Sequence, residues 1–181
     1  WINLDLPDSS FSSLFFVNEN IGYAVGVQGA IFKTTSAGSD WMDQSIADTI
    51  HLRSVFFTNE NTGYAVAWSG IIFKTTDGGS NWLTRSSGTA EHLYSVYFIN
   101  DSNGFAAGWN GTLLKTTDAG ETWIAQVSGI DDVLLSTCFI NDSIGFISGF
   151  DGQLLKTTDV GNNWFIQSAG IGLLIPRIKF I

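Results

Sequence analysis

The sequence is poor in residues that staple, kink or positively charge a protein. Cysteine occurs once, at Cys138, and proline twice in 181 residues. One cysteine cannot build a disulfide framework, and two prolines exclude a proline-rich linker or low-complexity tract. Cations are scarce too: 8 Lys and Arg stand against 17 Asp and Glu, a net charge of −9. Nucleic-acid binding depends on clustered Lys and Arg, so it is not expected. No apolar run is long enough to cross a membrane as a helix, and no stretch reads as a signal peptide. Direct membrane insertion is not expected, and no segment shows the apolar spacing of a helix.

Hydrophobic residues make up 44% of the chain and aromatic residues 14%, enough for a large core. They are arranged periodically. Trp41, Trp82, Trp123 and Trp164 are each 41 residues apart, and Lys33, Lys74, Lys115 and Lys156 keep the same spacing. A fixed period of this length marks one supersecondary unit that buries its apolar surface only by stacking on its neighbours. Within each unit an apolar run (LFFVN, VFFTN, VYFIN, CFIN) is followed by GYAVGV, GYAVAW, GFAAGW or GFISGF. Then come AIFKTT, IIFKTT, TLLKTT or QLLKTT, and finally WMDQS, WLTRS, WIAQV or WFIQS. These runs are short, rich in β-branched and aromatic residues and bounded by Gly, Asn, Asp and Ser, so they read as strands. Four strands per unit predict an all-β chain, a β-propeller of four-stranded antiparallel blades.

Gln28-Gly29, Ser69-Gly70, Asn110-Gly111 and Asp151-Gly152 link the second and third strands, and such pairs predict primed hairpin turns. In the second strand, Tyr23, Val25 and Val27 alternate with Ala24 and Gly26. That alternation of large and small predicts blades nested face to face, with both faces buried. Cys138 stands where the other units have Phe15, Phe56 and Tyr97, and reads as a small buried apolar residue.

The complete repeats run over about 12–47, 53–88, 94–129 and 135–170. Residues 1–6 fit the fourth strand of a preceding blade, and 175–181 the first strand of a following one, with Ile178 in the place of Val55 and Val96. The chain opens on Trp1 and reads as an internal start, one domain or a fragment of one. An unpaired strand at each end is an aggregation liability, so the expectation is a part of a larger ring or self-association through the terminal strands.

The tryptophan segments resemble the Asp-box, or BNR, repeat, Ser/Thr-x-Asp-x-Gly-x-x-Trp. The matches are Thr75, Asp77, Gly79, Trp82; Thr116, Asp118, Gly120, Trp123; and Thr157, Asp159, Gly161, Trp164. The first copy keeps Thr34, Gly38 and Trp41 but has Ser36 in the aspartate place. The fuller unit resembles the photosystem II stability/assembly factor family of propellers and its secreted bacterial relatives. The resemblance implies the propeller fold and a secreted, periplasmic or cell-surface setting. That family is expected to use a basic patch on its partner, and this acidic sequence shows none.

The Asp-box aspartates can be read as calcium ligands or acid catalysts. One active site does not need several equivalent copies, so they read instead as turn-holding acceptors, a part serine plays more weakly. A sialidase needs three converging arginines. Arg85 falls on a fourth, outermost strand, whereas Arg53 and Arg177 fall at first-strand entries three blades apart, which excludes that enzyme. His51 and His92 are one period apart in loops between blades, but Val133 and Leu174 hold the later places. They read as exposed loop residues, with no metal. The repeated lysines read as structural, placed near turn carboxylates or edge carbonyls.

One end differs between blades. Val27, Trp68, Trp109 and Phe150 flank the turns between second and third strands, near His51, His92, Glu91, Asp131, Asp132 and Asp151. An aromatic and acidic face can stack on sugars or receive a basic partner. The expected ligand-binding residues are therefore Trp68, Trp109, Phe150, His51, His92, Glu91 and Asp151, with no catalytic residue and no cofactor. The expected function is a non-enzymatic binding or scaffold module for a protein or glycan. An assembly factor for a photosynthetic membrane complex is the alternative the resemblance implies. A glycoside hydrolase with its active residues in other blades is the second, and a carboxylate pair across the ring centre would mark it.

Overall fold

Sixteen strands form four antiparallel sheets of four, each in simple sequence order, in the computed structural model, which describes residues 10–46, 49–168 and 177–178. Blade 1 comprises β1 (Phe11–Phe16), β2 (Gly22–Gly26), β3 (Ile31–Thr34) and β4 (Met42–Asp43). Blade 2 comprises β5 (Leu52–Phe57), β6 (Gly63–Ala67), β7 (Ile72–Thr75) and β8 (Leu83–Arg85). Blade 3 comprises β9 (Leu93–Phe98), β10 (Gly104–Gly108), β11 (Leu113–Thr116) and β12 (Ile124–Ala125). Blade 4 comprises β13 (Leu134–Phe139), β14 (Gly145–Gly149), β15 (Gln153–Thr157) and β16 (Phe165–Ser168). The all-β propeller architecture expected from the period is thus the fold. Residues 1–6 lie outside the described residues, as does most of 175–181.

Each x-Gly link is a primed turn. Gln28 and Gly29 have φ of 57° and 70°, Ser69 and Gly70 58° and 69°, Asn110 and Gly111 50° and 62°, and Asp151 and Gly152 52° and 74°. Positive φ at both central residues matches the twist of the flanking strands. At this same end of the second strand the first strand is bulged. Register skips one residue between Leu52 and Ser54, and between Leu134 and Ser136. Pairing of Ala107 with Ser95 and of Gly108 with Leu93 makes the same skip at Tyr94. A bulge leaves one residue unpaired and re-aims its side chain.

The core lies between blades. One cluster joins Tyr23, Val25 and Ile31 of blade 1 to Leu52, Val55, Phe57 and Phe73 of blade 2. The second-strand ring of each blade stacks on the first-strand phenylalanine of the next: Tyr23 on Phe57 at 3.8 Å, Tyr64 on Phe98 at 3.9 Å, Phe105 on Phe139 at 5.1 Å. Such pairs contribute about 0.5–1.5 kcal/mol beyond the area they bury. Burial, with nearby carboxylates, pushes both tyrosine hydroxyls up to about 12, so they serve as donors.

Polar contacts set the register between blades. The Tyr23 and Tyr64 hydroxyls donate to the Gly78 and Ala119 carbonyls of the next blade's turn, at 3.0 and 2.7 Å. Lys33 Nζ donates to Gly78 O (2.9 Å) and Lys115 Nζ to Val160 O (2.8 Å), so the repeated lysines reach the following blade's turn. Closer to the axis, Ser13, Ser54 and Ser95 Oγ accept the Val55, Val96 and Thr137 amides. Ser136 Oγ accepts Ile178 N–H at 3.3 Å, which puts Ile178 in the equivalent place beside blade 4.

Two glycines of positive φ separate backbone strain from crowding. A Cβ on Gly88 (φ 74°) meets nothing within 4 Å, whereas one on Gly111 (φ 62°) runs into the Ile130 carbonyl. Gly88→Ala is expected to cost about 1 kcal/mol, the strain of the left-handed region, and Gly111→Ala upwards of about 3 kcal/mol. Urea unfolding of the two variants checks this, and equal losses would refute the close-approach role of Gly111.

Candidate functional site

Four brackets occupy one end of the blades. In blade 3 the Thr116 hydroxyl donates to Asp118 Oδ1 (2.8 Å) and accepts the Asp118 and Gly120 amides (3.3 and 2.9 Å). Asp118 Oδ1 also takes the Thr122 amide and Oδ2 the Thr122 hydroxyl, at 2.9 and 2.6 Å. The same bonds recur around Asp77 with Thr75, Gly79 and Asn81, and around Asp159 with Thr157, Gly161 and Asn163. In blade 1 Thr34 Oγ1 takes the Gly38 amide (2.9 Å), but the single Ser36 Oγ takes the Asp40 amide (3.0 Å) and shares a long bond with Thr34 Oγ1 (3.5 Å). Beneath each turn a tryptophan packs edge-on: Trp82 on Phe57, Trp123 on Phe98, Trp164 on Phe139 and, in blade 1, Trp41 on Phe16. Each aspartate's two oxygens are thus taken up by donors of its own turn.

At the opposite end, four rings form a ladder across two blades. His51 stacks on Trp68 (4.3 Å, 20° between planes), Trp68 on His92 (5.0 Å, 16°), and His92 on Trp109 (4.9 Å, 35°). The ladder follows from backbone pairing, because the Trp68 amide donates to His51 O and the Trp109 amide to His92 O. This places the residue before each first strand beside the residue after each second strand. His92 Nδ1 accepts the Ser69 amide at 2.9 Å, so the ring's proton is assigned to Nε2.

The expectation of two exposed loop histidines needs correction, because both imidazoles are half-buried within the stack. They face opposite sides of the Trp68 indole, so no single metal ion reaches both. Among the described residues no group of three His, Cys, Asp or Glu is placed to hold a metal. Trp68 and Trp109 remain 37% and 43% exposed, an unusual state for large rings already stacked in order.

Phe150 is exposed, and its amide donates to Val133 O in the same pattern. Valine supplies no ring there, and Phe150 joins no ring stack among the described residues. Val27 repeats the bond to Ser10 O without an aromatic partner. Glu91 is half-buried; Asp131 and Asp151 are exposed beside these turns. Asp132 caps its own loop, with Oδ1 accepting the Val133 amide at 2.7 Å.

Arg53 and Tyr94 escaped the sequence reading as members of this end. They are the unpaired bulge residues of β5 and β9, and the guanidinium of Arg53 lies over the Tyr94 ring at 5.0 Å. Their residue types carried no signal; only the strand register reveals them. Arg85 is engaged elsewhere, with Glu121 at 3.1 Å, so these two arginines do not converge.

No curated protein sequence matches the chain. A family model described as photosynthesis system II assembly factor YCF48 matches residues 1–87 and again 84–168. The solved structure of YCF48 from Cyanidioschyzon merolae is 19% identical with a TM-score of 0.74, over 98% of this chain and 62% of that one. YCF48 bound to D1 peptide is 15% identical with a TM-score of 0.64, over 89% and 82%. An ancestral GH74 enzyme is 16% identical with a TM-score of 0.72, over 86% of this chain and 24% of the enzyme. The chain therefore spans under two thirds of the C. merolae protein, and these structures share its fold.

The brackets make an acid-dependent prediction. Thr122 and Thr116 hold Asp118 at about 2, and Asn163 and Thr157 do the same for Asp159, against an ordinary 3.8. A lowered folded value means the ionised carboxylate stabilises above the ordinary pKa, and that contribution fades as pH falls through about 2. Asp118→Asn is expected to lower the urea midpoint at neutral pH, with the gap to wild type closing between about pH 4 and 2. A gap constant over that window would refute the ionised bracket.

Proposed function

Because the chain belongs to the photosynthesis system II assembly factor YCF48 family, we propose that it is a non-enzymatic module that binds a protein segment on the end carrying His51, Trp68, His92 and Trp109. The exposed His–Trp ladder carries this reading. Stacked rings present a rigid apolar surface that loses little side-chain entropy on binding, and tryptophan dominates the energetics of many interfaces. Glu91, Asp131 and Asp151 supply a polar, negative rim. Arg53, over Tyr94, supplies one cation on the axial side of the same end.

Two observations favour binding over glycoside hydrolysis. The first strands, FSSLFF, LRSVFF, LYSVYF and LLSTCF, carry no carboxylate. Among the described residues, hydrogen bonds hold Asp77, Asp118, Glu121 and Asp159 below the ordinary carboxylate range, whereas a glycosidase acid must be raised.

The relative solved with a D1 peptide supplies a probe. Calorimetric titration with that peptide is expected to show binding by this chain. The Trp68→Ala, Trp109→Ala double variant is expected to lose about thirtyfold or more in affinity, the effect of removing one strong interface anchor. Unchanged affinity in a folded double variant, or no binding by wild type, would sink the proposal.

A further inference from the structure

The chain contains two Asn-Gly pairs, Asn103-Gly104 and Asn110-Gly111, and the fold treats them oppositely. An asparagine followed by glycine is chemically labile, because no Cβ obstructs the next amide. The glycine nitrogen attacks the asparagine Cγ, the C–N bond of the carboxamide breaks, ammonia leaves, and a five-membered succinimide remains. Water then opens the ring at either carbonyl and leaves aspartate or isoaspartate. The net change is one water taken up and one ammonia released, with no oxidant or reductant. The reaction needs a carboxamide free to swing onto the following nitrogen and a backbone able to leave its folded conformation.

Asn103 has neither freedom. Its Nδ2 donates to Asn100 Oδ1 (3.1 Å), its amide donates to the same oxygen (2.8 Å), and its carbonyl accepts the Ile99 amide (2.9 Å). Gly104 is buried at the start of β10, paired with Phe98 and Thr116. Asn110 is exposed, and its carboxamide has no hydrogen-bond partner among the described residues. Only its backbone is restrained: Gly111 N–H donates to Asp132 O (2.6 Å) and Thr112 N–H to Trp109 O (2.9 Å). The first bond guards the attacking nitrogen, so the reaction waits on local opening of a surface turn, which costs far less than global unfolding.

The other blades carry Gln28, Ser69 and Asp151 in this place. Serine has no carbonyl to attack, and glutamine must close a less favourable six-membered ring. Asp151 displays the product. Its φ of 52°, beside Gly152 at 74°, is close to the 50° and 62° of Asn110 and Gly111. An aspartate in the blade 3 turn therefore keeps the hairpin.

We infer that Asn110 is a site of spontaneous deamidation, through which the end bearing the His–Trp ladder gains negative charge as the protein ages. The new carboxylate stands next to Trp109, on an end that already carries Glu91, Asp131 and Asp151, in a chain already at −9. This holds whatever that end binds.

Ageing the purified 181-residue chain in warm, mildly alkaline buffer tests the site. A single tryptic peptide, 86–115, carries both pairs, so fragmentation compares them within one molecule. Residue 110 is expected to convert roughly tenfold faster than residue 103 or more, a gap of about 1.4 kcal/mol in local opening. In the chain held unfolded in urea the two rates are expected to converge. Labelling by isoaspartyl methyltransferase is expected to follow the conversion at 110. Asn110→Gln, which places the blade 1 residue in the blade 3 turn, is expected to abolish that labelling and leave the urea midpoint close to wild type. Equal rates at 103 and 110 in the folded chain would overturn the inference. So would a residue 110 that stays intact in the folded chain while both sites convert in urea.

Discussion

The stack of Tyr64 on Phe98, with ring centres 3.9 Å apart, is the contact on which the rest of the molecule depends. A single four-stranded sheet has two apolar faces and no interior, so its residues leave water only when the next sheet arrives. The ring supplies the apolar part of that contact and its hydroxyl the directional part, by donating to Ala119 O. One side chain therefore sets both how closely two blades approach and how they are aligned. Where Phe105 has no hydroxyl, Lys115 fills the gap with bonds to Val160 O and Asn162 Oδ1. The lysine and ring positions act as a pair in which either member can secure the turn.

The turn must present its carbonyl in a fixed place for that scheme to work, and this explains why the bracket repeats. Thr116 Oγ1 and the Asp118 carboxylate together gather the Asp118, Gly120 and Thr122 amides. Those groups would otherwise point into solvent or compete for the carbonyl Tyr64 needs. Serine at position 36 keeps the threonine half of the bracket and loses most of the carboxylate half. Blade 1 still carries a strand pair beyond its turn, Phe32 with Asp43 and Lys33 with Met42.

Much of the architecture was legible because the period is exact in the ordinary sense of counting residues. Equal spacing of Trp41, Trp82, Trp123 and Trp164 leaves no room for insertions, and the x-Gly pairs named their own turns. What lay beyond reading was every contact between units. Tyr23 meets Gly78 55 residues away, Lys33 meets it 45 away, and Ser13 meets Val55 42 away. None of these offsets equals the period, since each runs from one strand to a different part of the next unit. The histidines illustrate the same limit. Their spacing showed that they recur, but not that each would lie against an indole brought by a different hairpin. Arg53 and Tyr94 were harder still, because a bulge shifts which residue points where without leaving a mark in composition.

The amide of residue 27, 68, 109 or 150 bonds the carbonyl of residue 10, 51, 92 or 133 whatever side chains stand there. Valine, tryptophan and phenylalanine all occupy the donor position, and serine, histidine and valine the acceptor position. The blades' shared skeleton is thus decoupled from the groups displayed on that end. New recognition surfaces can arise there by substitution at a few sites, while the stacked rings and brackets at the far end keep the fold intact. In evolutionary terms the molecule is a stable stem with an interchangeable tip.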